Sequence, residues 1–105
     1  MNPEVFGPII WKYLHLATVM YPQKPTLADK NEFKNLLYGF GAFLPCSVCT
    51  YHYRAYIQDN INLIDMSLNS QNGIFEFVWE FHNNINKRLG KNTMSLRSAR
   101  SMYRI

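Results

Sequence analysis

Two cysteines, Cys46 and Cys49, stand two residues apart in the run Pro45-Cys46-Ser47-Val48-Cys49, and the 105-residue chain contains no others. Proline suits the start of a helix, so the pair is expected near a helix N-terminus. There, unpaired backbone N–H groups and the helix dipole stabilise a thiolate. A bridge across two intervening residues closes too small a loop to constrain the unfolded chain much, so its purpose would be chemical: reversible disulfide exchange. The same residues admit two other uses, a zinc half-site with His52 as a third ligand and a pair of buried structural thiols. Thioredoxin-like chemistry would place the motif after a strand in a βαβ unit. No strand alternation is present, so the redox reading needs a different scaffold.

A second set of residues could hold a cofactor. Trp11 and His15 are four apart, as are His82 and Asn86, so each pair occupies one face of a helix. Singly, a tryptophan or a histidine on an apolar face is more often core than cofactor wall. The run His82-Asn83-Asn84-Ile85-Asn86-Lys87-Arg88-Leu89-Gly90-Lys91 weakens that reading, because a core helix gains nothing from three amides and a histidine in five positions. With Lys87 and Lys91 following, it would suit an aromatic nucleotide with phosphates. The alternative is a solvated helix end whose lysines match the dipole.

The elements that must position these residues are helical. Pro8 falls in a first helical turn, and Ile9 to Tyr21 carries Ile10, Tyr13, Leu14, Ala17 and Met20 at three- and four-residue steps, stopping near Pro22. After the loop Pro22 to Thr26, Asp29 caps a second helix bearing Phe33, Leu36, Leu37, Phe40, Phe43 and Leu44. A third runs from Cys46 to about Gln58. Asp59 to Gly73 is polar and Asn-rich and reads as a connecting loop. Ile74 to Leu89 forms a fourth helix with Gly90 as its stop, and Leu96, Ala99, Met102 and Tyr103 support a short fifth. The expected fold is all-α, a four-helix bundle with a short fifth helix, in a single domain spanning residues 1–105.

Composition narrows the function classes. With 48% apolar and 15% aromatic residues the chain has ample surface to bury, which excludes wholesale disorder. No basic stretch followed by an apolar run opens the sequence, and no run approaches the length of a membrane span. A soluble chain in the cytoplasm is expected, without a membrane partner. The net charge of +4 raises a basic helical nucleic-acid binder. Yet the basicity is local: residues 87 to 105 hold six Lys or Arg and no acid, whereas residues 1 to 86 are net acidic. Arg88, Arg97, Arg100 and Arg104 are then a solvated or partner-facing tail, and no nucleic acid is expected.

Gly7 through His15, Pro45 through Cys49, and His82 through Lys91, in this order and separation, resemble the three signature segments of the Erv/ALR flavin-linked sulfhydryl oxidases. The brevity of the chain is most similar to the short forms of large DNA viruses, where the compartment would be host cytoplasm or virion; it could equally be one domain of a longer chain. The resemblance implies FAD at the mouth of the bundle, with Gly7, Trp11, His15, His82, Asn83 and Asn86 around it and Lys87 and Lys91 near its phosphates. It implies Cys49 beside the flavin and Cys46 open to thiol exchange, and no metal. An aromatic sometimes found in the family five residues before the histidine is Phe77 here, with Trp79 nearby. The implied activity forms disulfides in a thiol-containing protein, such as a small dithiol carrier, with electrons passing from the cysteines to FAD and on to O2 as H2O2. The family also implies a homodimer. Cellular members carry a further shuttle cysteine pair that this sequence lacks, so a partner thiol should react directly with Cys46. The alternative of a different class is a zinc-stabilised interaction module using Cys46, Cys49 and His52.

Overall fold

A computed structural model describes residues 1–104. Four long helices make the body: α1 (Pro3–Met20), α2 (Leu27–Ala42), α3 (Ser47–Asp59) and α5 (Gln71–Arg88). Two short ones, α4 (Ile61–Ser67) and α6 (Leu96–Tyr103), complete the order, and no strand occurs among the described residues. The all-α bundle is as expected, with one helix more. Within it α1 packs on α5, α2 on α3 and α4 on α5, and α6 closes one end against α1 and α5.

Local signals explain the boundaries that differ from expectation. The first helix begins at Pro3, five residues ahead of Pro8, because the Asn2 side chain accepts a hydrogen bond from the Glu4 amide and Pro3 fills the first turn. Pro8 therefore lies inside α1. In α2 the cap is Thr26; Asp29 is its partner in a capping box, each side chain bonded to the other's backbone N–H. The expected 59–73 loop contains α4, whose Ile64 is buried with Leu68 just beyond it. Asparagines on the outer side conceal an apolar i, i+4 step that packs on α5.

Burial of aromatic and branched side chains holds the bundle together. Leu14, Leu37, Ile57, Ile64, Ile74, Phe75, Val78 and Phe81 are almost completely removed from water, and each such side chain stabilises the fold by about 1.5–3 kcal/mol before entropy is counted. Phe81 is central, stacked on Tyr56 at 4.2 Å and meeting Trp11 edge-on at 4.9 Å. Where α2 meets α3, Gly41 lies against the Tyr53 ring so closely that a Cβ would overlap it. The ring has little freedom to yield, since the Tyr53 hydroxyl donates to the Leu37 carbonyl at 2.7 Å. Gly41 thus sets the α2–α3 distance just ahead of the cysteines.

The end of α5 is equally defined. Gly90 adopts a left-handed conformation, its N–H donating to the Lys87 carbonyl and the Lys91 N–H to that of Asn86. These two bonds are those of a Schellman motif.

Candidate functional site

Cys46 is the N-cap of α3. Its Sγ accepts the Cys49 backbone N–H at 3.2 Å, the place an Asp or Ser side chain would take at another helix start. Both cysteines are half-buried free thiols. Hydrogen bonding from the Cys49 thiol, and then from the Cys49 backbone N–H, lowers the pKa of Cys46. Burial, followed by that same bond to Cys46, pushes Cys49 up to about 11. Both shifts favour a thiolate on Cys46 over one on Cys49.

Both sulfurs open onto a cavity of about 800 Å³ at one end of the bundle. Helix α1 contributes Gly7, Trp11 and Lys12 to its lining, and α5 contributes His82, Asn86 and Arg88. Lys91 and Met94 follow from the segment after α5, and Tyr103 from α6. The Trp11 and His82 rings are stacked, 4.7 Å apart and 11° from parallel. Behind them His15, 2% exposed, stacks on Tyr103 at 4.7 Å. Burial, then the neighbouring His82, depresses the His15 pKa to about 4; burial, then Lys91, does the same to His82. Both imidazoles are neutral at pH 7, and the His15 Nδ1 is buried with no hydrogen-bond partner.

The structure thus brings Gly7, Trp11, Cys46, Cys49, His82, Asn86 and Lys91 to one cavity, with His15 against its aromatic wall. It separates Asn83 and Lys87 from them. A helix turns about 100° per residue, which puts these two on a flank with Trp79 and Glu80, lining a smaller polar cavity. Asn83 makes a two-way bond to the Met94 backbone, donating to its carbonyl at 2.7 Å and accepting its N–H at 2.9 Å, while Trp79 Nε1 donates to the same carbonyl at 2.7 Å. Asn83 is in this way a clamp on the segment after α5 rather than part of the cavity wall. Phe77 is core, 2% exposed. Of the α5 cations it is Arg88, expected in the solvated tail, that lines the large cavity in place of Lys87. Lys12 and Tyr103 were not legible as site residues: one reads as an ordinary exposed lysine, the other as an apolar position of a short helix.

A zinc module is not supported, since no three His, Cys, Asp or Glu side chains group to hold a metal among the described residues. A dithiol at a helix start, open to an aromatic-walled cavity in the same bundle end, defines a helical dithiol redox domain rather than a strand-based one. The chain belongs to the Erv1 / Alr family, whose model matches residues 8–104. An FAD-linked sulfhydryl oxidase of African swine fever virus (isolate Pig/Kenya/KEN-50/1950) is 31% identical over 98 residues, 93% of this chain and 79% of that protein. The mitochondrial FAD-linked sulfhydryl oxidase erv1 of Schizosaccharomyces pombe is 32% identical over 91 residues, covering 85% of this chain and 49% of its own length. The crystal structure of the FAD binding domain of Erv1 from Saccharomyces cerevisiae superposes with a TM-score of 0.87 at 28% identity, over 98% of this chain and 94% of that one.

Proposed function

We propose that the chain is an FAD-dependent thiol oxidase in which Cys46 and Cys49 form disulfides in a thiol-containing protein. The observation that carries this reading is that Cys49 and the stacked Trp11–His82 pair line one cavity. The residues present fit FAD. A cavity of this size is in the range for cofactor sites. Gly7 lines it with no Cβ and nothing within 4 Å of where one would stand, leaving room for a flat ring. The orphaned His15 Nδ1 is available to a bound group. Lys12, Arg88 and Lys91 match a diphosphate.

The cycle starts from the Cys46–Cys49 disulfide. A substrate thiolate attacks Cys46 Sγ, the S–S bond breaks, and Cys49 leaves carrying the electron pair. A second substrate thiolate attacks the mixed disulfide and releases Cys46, a favourable leaving group because the α3 N-terminus stabilises its thiolate. FAD, when bound, supplies a two-electron acceptor that O2 reoxidises, yielding H2O2. The chain's own residues hold that acceptor beside Cys49 and favour the thiolate of Cys46.

We place the whole of residues 1–105 in one FAD-binding domain, acting on a partner such as a small dithiol carrier, and assign no role to nucleic acid or membrane. A compartment rich in reducing thiols, the cytoplasm or a virion assembled there, is where a dedicated oxidase is needed. A homodimer is supported by the exposed apolar face of α1, where Val5, Ile9, Tyr13, Leu16 and Met20 recur at three- and four-residue steps. Sedimentation at micromolar concentration should give twice the mass of the chain; a monomer would remove the dimer.

The purified protein is expected to be yellow, to bleach anaerobically with dithiothreitol, and to recover in air with release of H2O2. A colourless protein unable to take up FAD would refute the reading.

A further inference from the structure

The segment between α5 and α6 carries two residues of the cavity wall, Lys91 and Met94, yet has no helix of its own to hold it. At one end the Lys91 N–H is bonded to the Asn86 carbonyl. Beyond that bond Asn92 and Thr93 are exposed and make no backbone hydrogen bond to another element among the described residues. The next tie is the Met94 main chain, and it is held from outside the cavity. Asn83 Nδ2 and Trp79 Nε1 each donate to the Met94 carbonyl at 2.7 Å, filling its two lone pairs, and Asn83 Oδ1 accepts the Met94 N–H at 2.9 Å. Trp79 and Asn83 are one turn apart on α5, so the two donors converge from a single helix face.

This grip needs an amide at residue 83. An amide offers a donor and an acceptor side by side, the complement of a peptide group, whereas a carboxylate could only accept and an apolar side chain could do neither. Because the bonds go to the main chain, the Met94 side chain stays free to line the cavity. Helix α6 has ties of its own: Arg100 reaches Asn72 at 3.2 Å and Glu76 at 3.8 Å, Ala99 is buried, and Tyr103 stacks on His15. What depends on Asn83 is therefore the path of the chain from Lys91 to Met94, and with it the direction of the Lys91 side chain. That ammonium stands close to the aromatic wall, since after burial it is the second influence depressing His82, the ring stacked on Trp11.

We propose that Asn83 is a positioning residue of the cofactor site: by gripping the Met94 main chain from outside the cavity, it aims Lys91 into the cavity and so sets the affinity for the diphosphate of FAD. The inference rests on the thiol-oxidase reading, under which Lys91 meets that diphosphate, and its test separates the two.

FAD is titrated into FAD-free wild-type, Asn83→Ala, Lys91→Met and Asn83→Ala/Lys91→Met chains, with binding read from the quenching of flavin fluorescence. Asn83→Ala is expected to weaken binding on the order of 10-fold, the scale of one charge-assisted contact, and Lys91→Met by a similar factor. The double variant should bind as Lys91→Met does, because Asn83 acts through that ammonium. The Asn83→Ala loss should also shrink as salt is raised, since salt screens the contact at stake. Trp79→Phe, which leaves Asn83 to hold Met94, should lose less. In a second arm without FAD, exchange of the Met94 amide hydrogen should accelerate in Asn83→Ala while α1, α5 and α6 keep their wild-type protection. Unchanged FAD affinity in Asn83→Ala, losses that multiply in the double variant and ignore salt, or exchange that accelerates in every helix alike each overturn the positioning role. A wild-type chain that takes up no FAD overturns the oxidase reading itself.

Discussion

Cys49→Ser is expected to retain FAD and to lose its reduction by thiols altogether, the largest effect any single substitution should have here. Cys49 is half-buried against the cavity, and serine keeps the size and the helical backbone at that position. The Cys46 Sγ can still cap α3 through the residue 49 backbone N–H, so the site's shape survives. What disappears is the S–S bond that a substrate thiolate must break and, in the proposed cycle, the sulfur that hands its electrons to the cofactor. Cys46 then remains free to form a mixed disulfide with an oxidised partner but has no internal sulfur to displace. Anaerobic titration with dithiothreitol, read at the flavin absorbance, checks this; normal bleaching in the variant would show that Cys49 is not the proximal cysteine.

The FAD-free protein should lose stability as pH falls from about 6.5 to about 4, well before its carboxylates dominate. His15 and His82 are held neutral in the fold, each with its pKa pushed down to about 4 from the ordinary 6.5. Between those values the unfolded chain binds protons that the folded chain refuses, so stability rises with pH across this window. The contribution is complete above pH 6.5 and is lost as pH falls through the folded values. For the nearly sealed His15 it amounts to roughly 3 kcal/mol at its limit; half-buried His82 contributes less because water screens it. Urea unfolding at pH 7.5 and pH 4.5 should give clearly different midpoints. Equal midpoints would mean that both rings ionise freely in the folded state.

Most of the fold was legible because helix starts and stops are local: Pro22 just past α1 and Gly90 just past α5 act within a few residues, so their signals survive without tertiary knowledge. The caps Thr26 and Ser70 lay in stretches read as loop, so α2 and α5 begin a few residues earlier than expected. The cysteine-capped start of α3 was legible for the same reason. α4 was obscured because asparagine favours turns when considered alone, whereas here burial of Ile64 and Leu68 against α5 overrides that preference. Pro8 was misleading as a start because Asn2 and Pro3 supply a stronger one. Lys87 and Arg88 differ by one residue, and which of them meets the cavity depends on the rotational phase of α5, set by Phe77, Val78 and Phe81 in the core. Lys12 and Tyr103 reach the site only because α1 and α6 meet at one end of the bundle, which no local pattern encodes.

The close of α5 works as a ruler. Asn86 and Lys91 both face the cavity, and the backbone of one is hydrogen-bonded to the backbone of the other across the Gly90 turn. The separation of the Asn86 and Lys91 backbones is therefore fixed by ring closure of the main chain, and of the residues between them Lys87, whose side chain leaves the cavity, can drift in identity while the count cannot. Losing or gaining one residue between Asn86 and Lys91 would move a charge out of the site without altering a single cavity side chain.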